Sequence, residues 1–129
     1  MLMLPANAIN WFEIPVADFN RAKTFFETIF DYEMPVMLMD DRPMGMLLFD
    51  QPGGKVGGAI VQRPDFFTPS ANGTLVYLNA APDIQTVLDR VEPAGGTIIT
   101  GRSEVAPNMG YWALFTDTEG NRLALHAMA

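Results

Sequence analysis

The pattern of apolar positions changes period early in the chain. Residues 10–16 carry Trp11, Phe12, Ile14 and Val16, a β-prone run that predicts a strand. Asp18 follows, with a side chain suited to accept a bond from an unpaired amide at a helix start. Phe19, Ala22, Phe26 and Ile29 then recur at the spacing of one helical face. This helix is predicted to run to about Phe30, with Asp31 where a glycine more often ends a helix. Strands are predicted at 32–39, 44–49 and 57–62, separated by the turn signals Asp40-Asp41-Arg42-Pro43 and Pro52-Gly53-Gly54. Beyond a stretch marked by Pro64 and Pro69 the order begins again. A strand is predicted at 74–79, then Asp83 as a second helix cap and a stripe of Ile84, Val87, Leu88 and Val91 that stops at Gly95-Gly96. Strands at 97–100, 111–116 and 122–126 complete the pattern, the last two joined by the turn at 117–121.

The chain thus reads as one βαβββ unit written twice. Placing Asp18 on Asp83 also places Phe19 on Ile84, Ala22 on Val87 and Phe26 on Val91. The first module covers about 7–63, the linker 64–72 and the second module about 73–127, within a single domain of 1–129. Neither unit alone buries both faces of its sheet. Packing the two side by side yields an α+β fold with one core, helices outside and a cup-shaped, half-open mixed sheet whose concave face is inside. Such a face suits a small ligand.

Composition narrows the function. A chain of 129 residues, 49% apolar and 18% charged, has the length and content for a proper core and is not a disordered segment. Its net charge of −7 repels phosphate backbones, so nucleic acid is not expected as a partner, whereas cationic ligands are attracted. The absence of cysteine excludes disulfides and thiolate chemistry. Residues 1–8 lack the basic start and long apolar core of a signal peptide, and no apolar run is long enough to span a bilayer. The expected location is cytoplasmic, with no membrane partner.

Several segments resemble one family. The opening run Asn10-Trp11-Phe12-Glu13-Ile14-Pro15-Val16-Ala17-Asp18, followed by Arg21-Ala22 and Phe25-Phe26, is similar to the start of glyoxalase-like proteins of the vicinal oxygen chelate superfamily. Gly110-Tyr111-Trp112-Ala113-Leu114-Phe115 with Asp117-Thr118-Glu119-Gly120-Asn121-Arg122 is similar to their final hairpin. Gly57-Gly58-Ala59 and Asn72-Gly73-Thr74-Leu75-Val76-Tyr77 fall between them in the matching order. The resemblance implies paired βαβββ modules forming a cup, and a homodimer in which cups are completed by both subunits. In glyoxalase I and the extradiol dioxygenases the cup holds a divalent metal on His, Glu or Gln side chains from the first and last strands of each module. Carried over, those positions fall near Trp11, within Gly57–Val61, near Thr74 and at Ala124, none of which supplies a suitable ligand. His126 is the one histidine and Glu13 the one carboxylate of the first strand, too few for the usual three or four ligands. The resemblance therefore implies the fold without its metal, and no other cofactor is expected.

Alternation along strands places Glu13 on the cup face if Trp11 is there, and Arg122 and His126 if Ala124 is. Thr74, Val76 and Leu78 are expected to share that face and Tyr77 to lie on the other. Glu13, flanked by Phe12 and Ile14, reads as a buried acid or base with a raised pKa, or as a structural carboxylate paired with Arg122 or a backbone amide. His126 reads as a proton shuttle or as a frayed-end surface residue. Trp11, Tyr111 and Trp112 suit stacking on a flat ligand, or core and dimer contacts. Met34, Met37, Met39, Met44 and Met46 suit an adaptable wall or a loosely packed core. The segment 101–110 reads as a lid or as a plain connection. Two functions follow. One is a metal-independent enzyme acting on a small molecule through Glu13 and His126, with Trp11, Thr74, Val76, Arg122 and Ala124 as binding residues. The other is a non-catalytic binder resembling the bleomycin-resistance proteins, which sequester a cationic drug in an aromatic dimer groove. A metal-dependent lyase or dioxygenase using Glu13 and His126 is the third reading.

Overall fold

Asp18 and Asp83 start the two helices. In the computed structural model, which describes residues 3–5, 7–48 and 55–129, both stand in extended backbone just before a helix. Asp18 Oδ1 accepts from Arg21 N at 3.1 Å and Asp83 Oδ1 from Gln85 N at 2.9 Å. The helices are α1 (Phe19–Phe30) and α2 (Ile84–Val91). Asp31 does close α1, in the left-handed region at φ 51°, the conformation that glycine would take more readily.

The strands are β1 (Trp11–Pro15), β2 (Val36–Met39), β3 (Arg42–Leu47) and β4 (Gly57–Val61) in the first module. The second has β5 (Tyr77–Asn79), β6 (Thr97–Glu104), β7 (Tyr111–Thr116) and β8 (Arg122–Ala127). Phe49, at the end of one expected strand, and the expected turn Pro52-Gly53-Gly54 lie outside the described residues. The turn expected at 40–43 is shorter than its sequence signal. Asp40 and Asp41 alone turn the chain, both with positive φ (51° and 62°), as in a two-residue hairpin loop, and β3 already begins at Arg42.

Each module forms its own four-stranded mixed sheet, in the orders β1-β4-β3-β2 and β5-β8-β7-β6. The first and last strands of each module run parallel, and the remaining pairs are antiparallel. This is the expected α+β arrangement of two βαβββ units, with its eight strands divided between two open sheets. Both helices cover one face of the sheets. Phe19, Ala22, Phe26 and Ile29 of α1, and Ile84, Val87, Leu88 and Val91 of α2, share a single core with Ile14, Ile60, Leu78, Phe115 and Leu125. The Phe25 ring of α1 lies 6.2 Å from Phe115 of β7, so the first module's helix packs directly on the second module's sheet.

The turn 117–121 fastens the modules from the other side. Asn121 Nδ2 donates to Pro15 O at 2.7 Å and to Asp117 Oδ2 at 2.9 Å, and both side chains are buried. Glu119 Oε1 accepts from Ala17 N and Asp18 N, and Arg21 reaches the same carboxylate through Nε at 2.7 Å and Nη2 at 2.9 Å. Gln62 Oε1 accepts from Phe19 N at 2.8 Å. The amides at the start of α1 are thus met by side chains from both modules. Among the described residues no helix is long and apolar enough to cross a membrane.

Candidate functional site

Strand alternation decides what each sheet shows on the face away from the helices. In the first sheet Ile14 and Ile60 turn into the core, so Trp11, Glu13, Ala59 and Val61 turn away from it. The register sets Met46 beside Ala59, Met44 beside Val61 and Met37 beside Met44, and Met39 shares that face with Arg42. Phe67 of the linker packs on Met44, Met46, Ala59 and Val61. Met34 alone of the five clustered methionines belongs to the main core. The other four make a thioether wall, Met44 and Met46 buried and Met37 and Met39 exposed at its edge. A cavity of about 240 Å³ opens there, lined by Glu13, Met39, Arg42, Met44 and Arg63 among others.

Glu13 is on the expected face but is exposed, which overturns the expectation of a buried carboxylate in low dielectric. It accepts a long hydrogen bond, 3.4 Å, from Trp11 Nε1. The ion pair with Arg122 is absent as well: the ion pairs among the described residues are Arg21–Glu119, Lys23–Glu27 and Arg42–Asp65.

In the second sheet Leu78, Leu123 and Leu125 turn into the core. Leu78 is therefore not on the ligand face as expected, and Tyr77 takes that place, paired with Ala124 and 56% exposed. His126 lies beside Trp112 and Asn79 in the register. It is half-buried and its Nε2 is 2.9 Å from Met109 O, so β8 holds the loop after β6 and the residue is not frayed. With the proton on Nε2 the imidazole donates to that carbonyl and Nδ1 keeps its lone pair. Tyr77, Val105, Met109, Trp112 and His126 line a cavity of about 380 Å³.

Glu13, Thr74, Val76 and Arg122 meet around a third, smaller cavity of about 140 Å³ between the modules. Trp11, Ala124 and His126 do not line it; among the described residues Glu13 lines this cavity and the one of about 240 Å³, whereas His126 lines the one of about 380 Å³. The positions carried over for a metal hold an indole, the unsubstituted or aliphatic side chains of β4, a threonine and an alanine. Among the described residues no group of three or more His, Cys, Asp or Glu side chains is placed to hold an ion. The donor set does not fit a divalent metal.

Sequence reasoning missed Tyr77, Arg63 and Phe67 at these surfaces, and it missed Glu119. Burial alone would raise the Glu119 carboxyl, but the Arg21 guanidinium, two backbone amides and the Thr118 hydroxyl bring it down to about 2. Asp117 shifts the other way, raised by burial against the bonds it accepts from Asn121 and Glu119. Both serve the junction of the modules, and no motif in the turn announced a partner about a hundred residues away.

Known proteins share this architecture. A glyoxalase/bleomycin resistance protein from Albidiferax ferrireducens T118 superposes with a TM-score of 0.67 at 15% identity, over 92% of this chain and 97% of that one. A glyoxalase/bleomycin resistance protein from Streptomyces sp. CB03234 gives 0.63 at 20% identity, over 90% and 96%. TnmS3, an antibiotic binding protein from Streptomyces sp. CB03234, gives 0.62 at 19% identity, over 98% and 100%. No curated protein sequence matches significantly. The sequence profile of one superfamily matches residues 8–125, and on that match the chain belongs to the glyoxalase/bleomycin resistance protein/dioxygenase superfamily.

Proposed function

We propose that the chain is a cytoplasmic, homodimeric, metal-independent protein that binds an organic small molecule and sequesters it unchanged, as an antibiotic-binding protein does. The observation that carries this reading is the separation of the two candidate catalytic groups. Glu13 is exposed on one sheet and His126 lines a different cavity on the other, bonded to Met109 O. What the faces offer instead is contact surface, with Trp11, Tyr77, Trp112 and adaptable methionines. The likeness to TnmS3 and to the bleomycin-resistance group supports the same reading. Trp11, Thr74, Val76, Arg122 and Ala124 are its proposed contacts.

The test is intrinsic fluorescence. The chain has two tryptophans, Trp11 and Trp112, and each stands on a ligand face. Titration with a panel of cationic and aromatic antibiotics should give saturable quenching by at least one of them, and mass spectrometry should recover that compound intact. A compound that is transformed, with turnover lost in Glu13→Gln and His126→Gln, would establish the enzymatic reading instead. That alternative draws on His126 Nδ1, which keeps its lone pair when Nε2 donates to Met109 O.

A further inference from the structure

Arg122 opens β8 on the face that also carries Ala124 and His126. Its Nε has no exposed surface and no hydrogen-bond partner among the described residues. The guanidinium makes one long bond, 3.4 Å from Nη2 to Gly73 O. It forms no ion pair with any described carboxylate. A guanidinium carries five N–H donors and stays charged at every physiological pH. A shielded donor without an acceptor lowers stability, and a guanidinium with no carboxylate partner among the described residues favours an incoming oxygen where it lines a cavity.

The surroundings complete a site. Arg122 lines the cavity of about 140 Å³ with Glu13, Ser70, Asn72 and Thr74. Ser70 Oγ accepts from Asn72 N at 2.9 Å, which leaves its hydroxyl proton to donate elsewhere. The volume suits one small polar group and is well below that of a drug-sized pocket. Glu13 adds a negative charge to the lining, which disfavours a dianion and tolerates a monoanion, above all one with an ammonium beside it.

We infer that this cavity between the modules is a carboxylate-binding subsite, with Arg122 as its charged anchor and the Ser70 and Thr74 hydroxyls as supporting donors. The ligand group is a monocarboxylate, free or as part of an amino-acid-like zwitterion. The inference shares Arg122 and Thr74 with the proposed sequestering contacts, but it uses none of the aromatic or methionine surface and is read out with small anions alone.

The experiment is a ¹⁵N NMR titration of the full chain with acetate, glycine and inorganic phosphate at constant ionic strength. Acetate should cause saturable shifts of the Arg122 Nε–H signal and of the Gly73 and Thr74 amides. Arg122→Gln should weaken acetate binding by about tenfold or more, with the rest of the spectrum preserved. Glycine should bind at least as well as acetate, and phosphate more weakly than either. Glu13→Gln should raise the affinity for phosphate. Thr74→Val, which keeps the arginine, should weaken acetate several-fold and serves if Arg122→Gln fails to fold. Unsaturable or absent shifts with every anion, equal acetate binding in Arg122→Gln, or a preference for phosphate would each overturn the assignment. Antibiotic quenching of the parent protein is measured beside the anion titration, so absent acetate binding with quenching intact overturns the subsite alone, and absent quenching with saturable acetate binding overturns the sequestering role alone.

Discussion

Glu119 is the single side chain on which the join between the modules most depends. Its side chain has no exposed surface, it bonds two amides at the start of α1, and it takes both Arg21 contacts. Removing one partner of a buried charged network costs more than the network is worth in sum, because the groups left behind lose their solvation as well. Glu119→Ala is expected to lower the unfolding free energy by about 3 kcal/mol, measured by urea denaturation. A loss below about 1 kcal/mol would put the residue in the ordinary surface class. The pH dependence has a definite sign. The folded carboxyl sits at about 2, below its ordinary 4.5, so its contribution is complete above 4.5 and fades as pH falls toward 2. Asp117, raised above 3.8 by burial, acts in the opposite sense, because its charge is disfavoured in the folded state as pH rises. Glu119→Gln should therefore flatten the acid limb of the stability curve relative to the parent. At this scale the sequence was least informative. Alternation sufficed to place Trp11 and Glu13 together on one face. The exposure of Glu13 and the lone Arg122 depend on where neighbouring elements end, and periodicity carries nothing about that.

Among the elements, both helices were legible, because a cap and a four-point apolar stripe agree at each. The strand after the linker was legible as a strand but not in register. Val16 N donates to Val61 O in the first module, and Ala80 N donates to His126 O at the equivalent place in the second. Val16 precedes its cap Asp18 by two residues, whereas Ala80 precedes Asp83 by three. Aligning the caps therefore shifts β5 by one, and a shift of one exchanges the faces, so Tyr77 is outside and Leu78 within. The glycines of β4 carry a further constraint. A methyl group on Gly58 would overlap the Phe12 ring, which packs against the main core. Gly58→Ala should cost about 1–3 kcal/mol through this overpacking, and Gly58→Ala with Phe12→Leu should recover part of it. Thermal unfolding of the two variants decides the point. Equal melting temperatures for Gly58→Ala and the parent would show that the ring moves aside at no cost.

For the whole molecule, the duplicated βαβββ pattern foretold the architecture, and the residues at the carried-over metal positions lead to the expectation of no resident ion. Protein dialysed after purification is expected to hold no stoichiometric zinc, nickel or iron by elemental analysis, and to lack methylglyoxal–glutathione isomerase activity with or without added metal. A tightly held equivalent of any of these ions per chain would overturn that expectation. The proposed homodimer is argued from the edges and faces left uncovered among the described residues. Among the described residues each sheet ends in two strands without a neighbour on one side, β1 and β2 in the first and β5 and β6 in the second. Trp11, Met37, Met39, Tyr77 and Met109 stand exposed on or beside the faces away from the helices. One protomer's first sheet facing its partner's second sheet would cover edges and apolar side chains together. Twofold symmetry would repeat that contact, so such a dimer would have two equivalent composite sites. Light scattering at micromolar concentration should give twice the 14.2 kDa mass of the chain. Tyr77→Glu, which places a charge in the contact, should shift the mass toward the monomer and reduce antibiotic quenching in parallel. A parent protein that remains monomeric, or a monomeric Tyr77→Glu variant that binds as tightly as the parent, would show that a single chain holds the whole site.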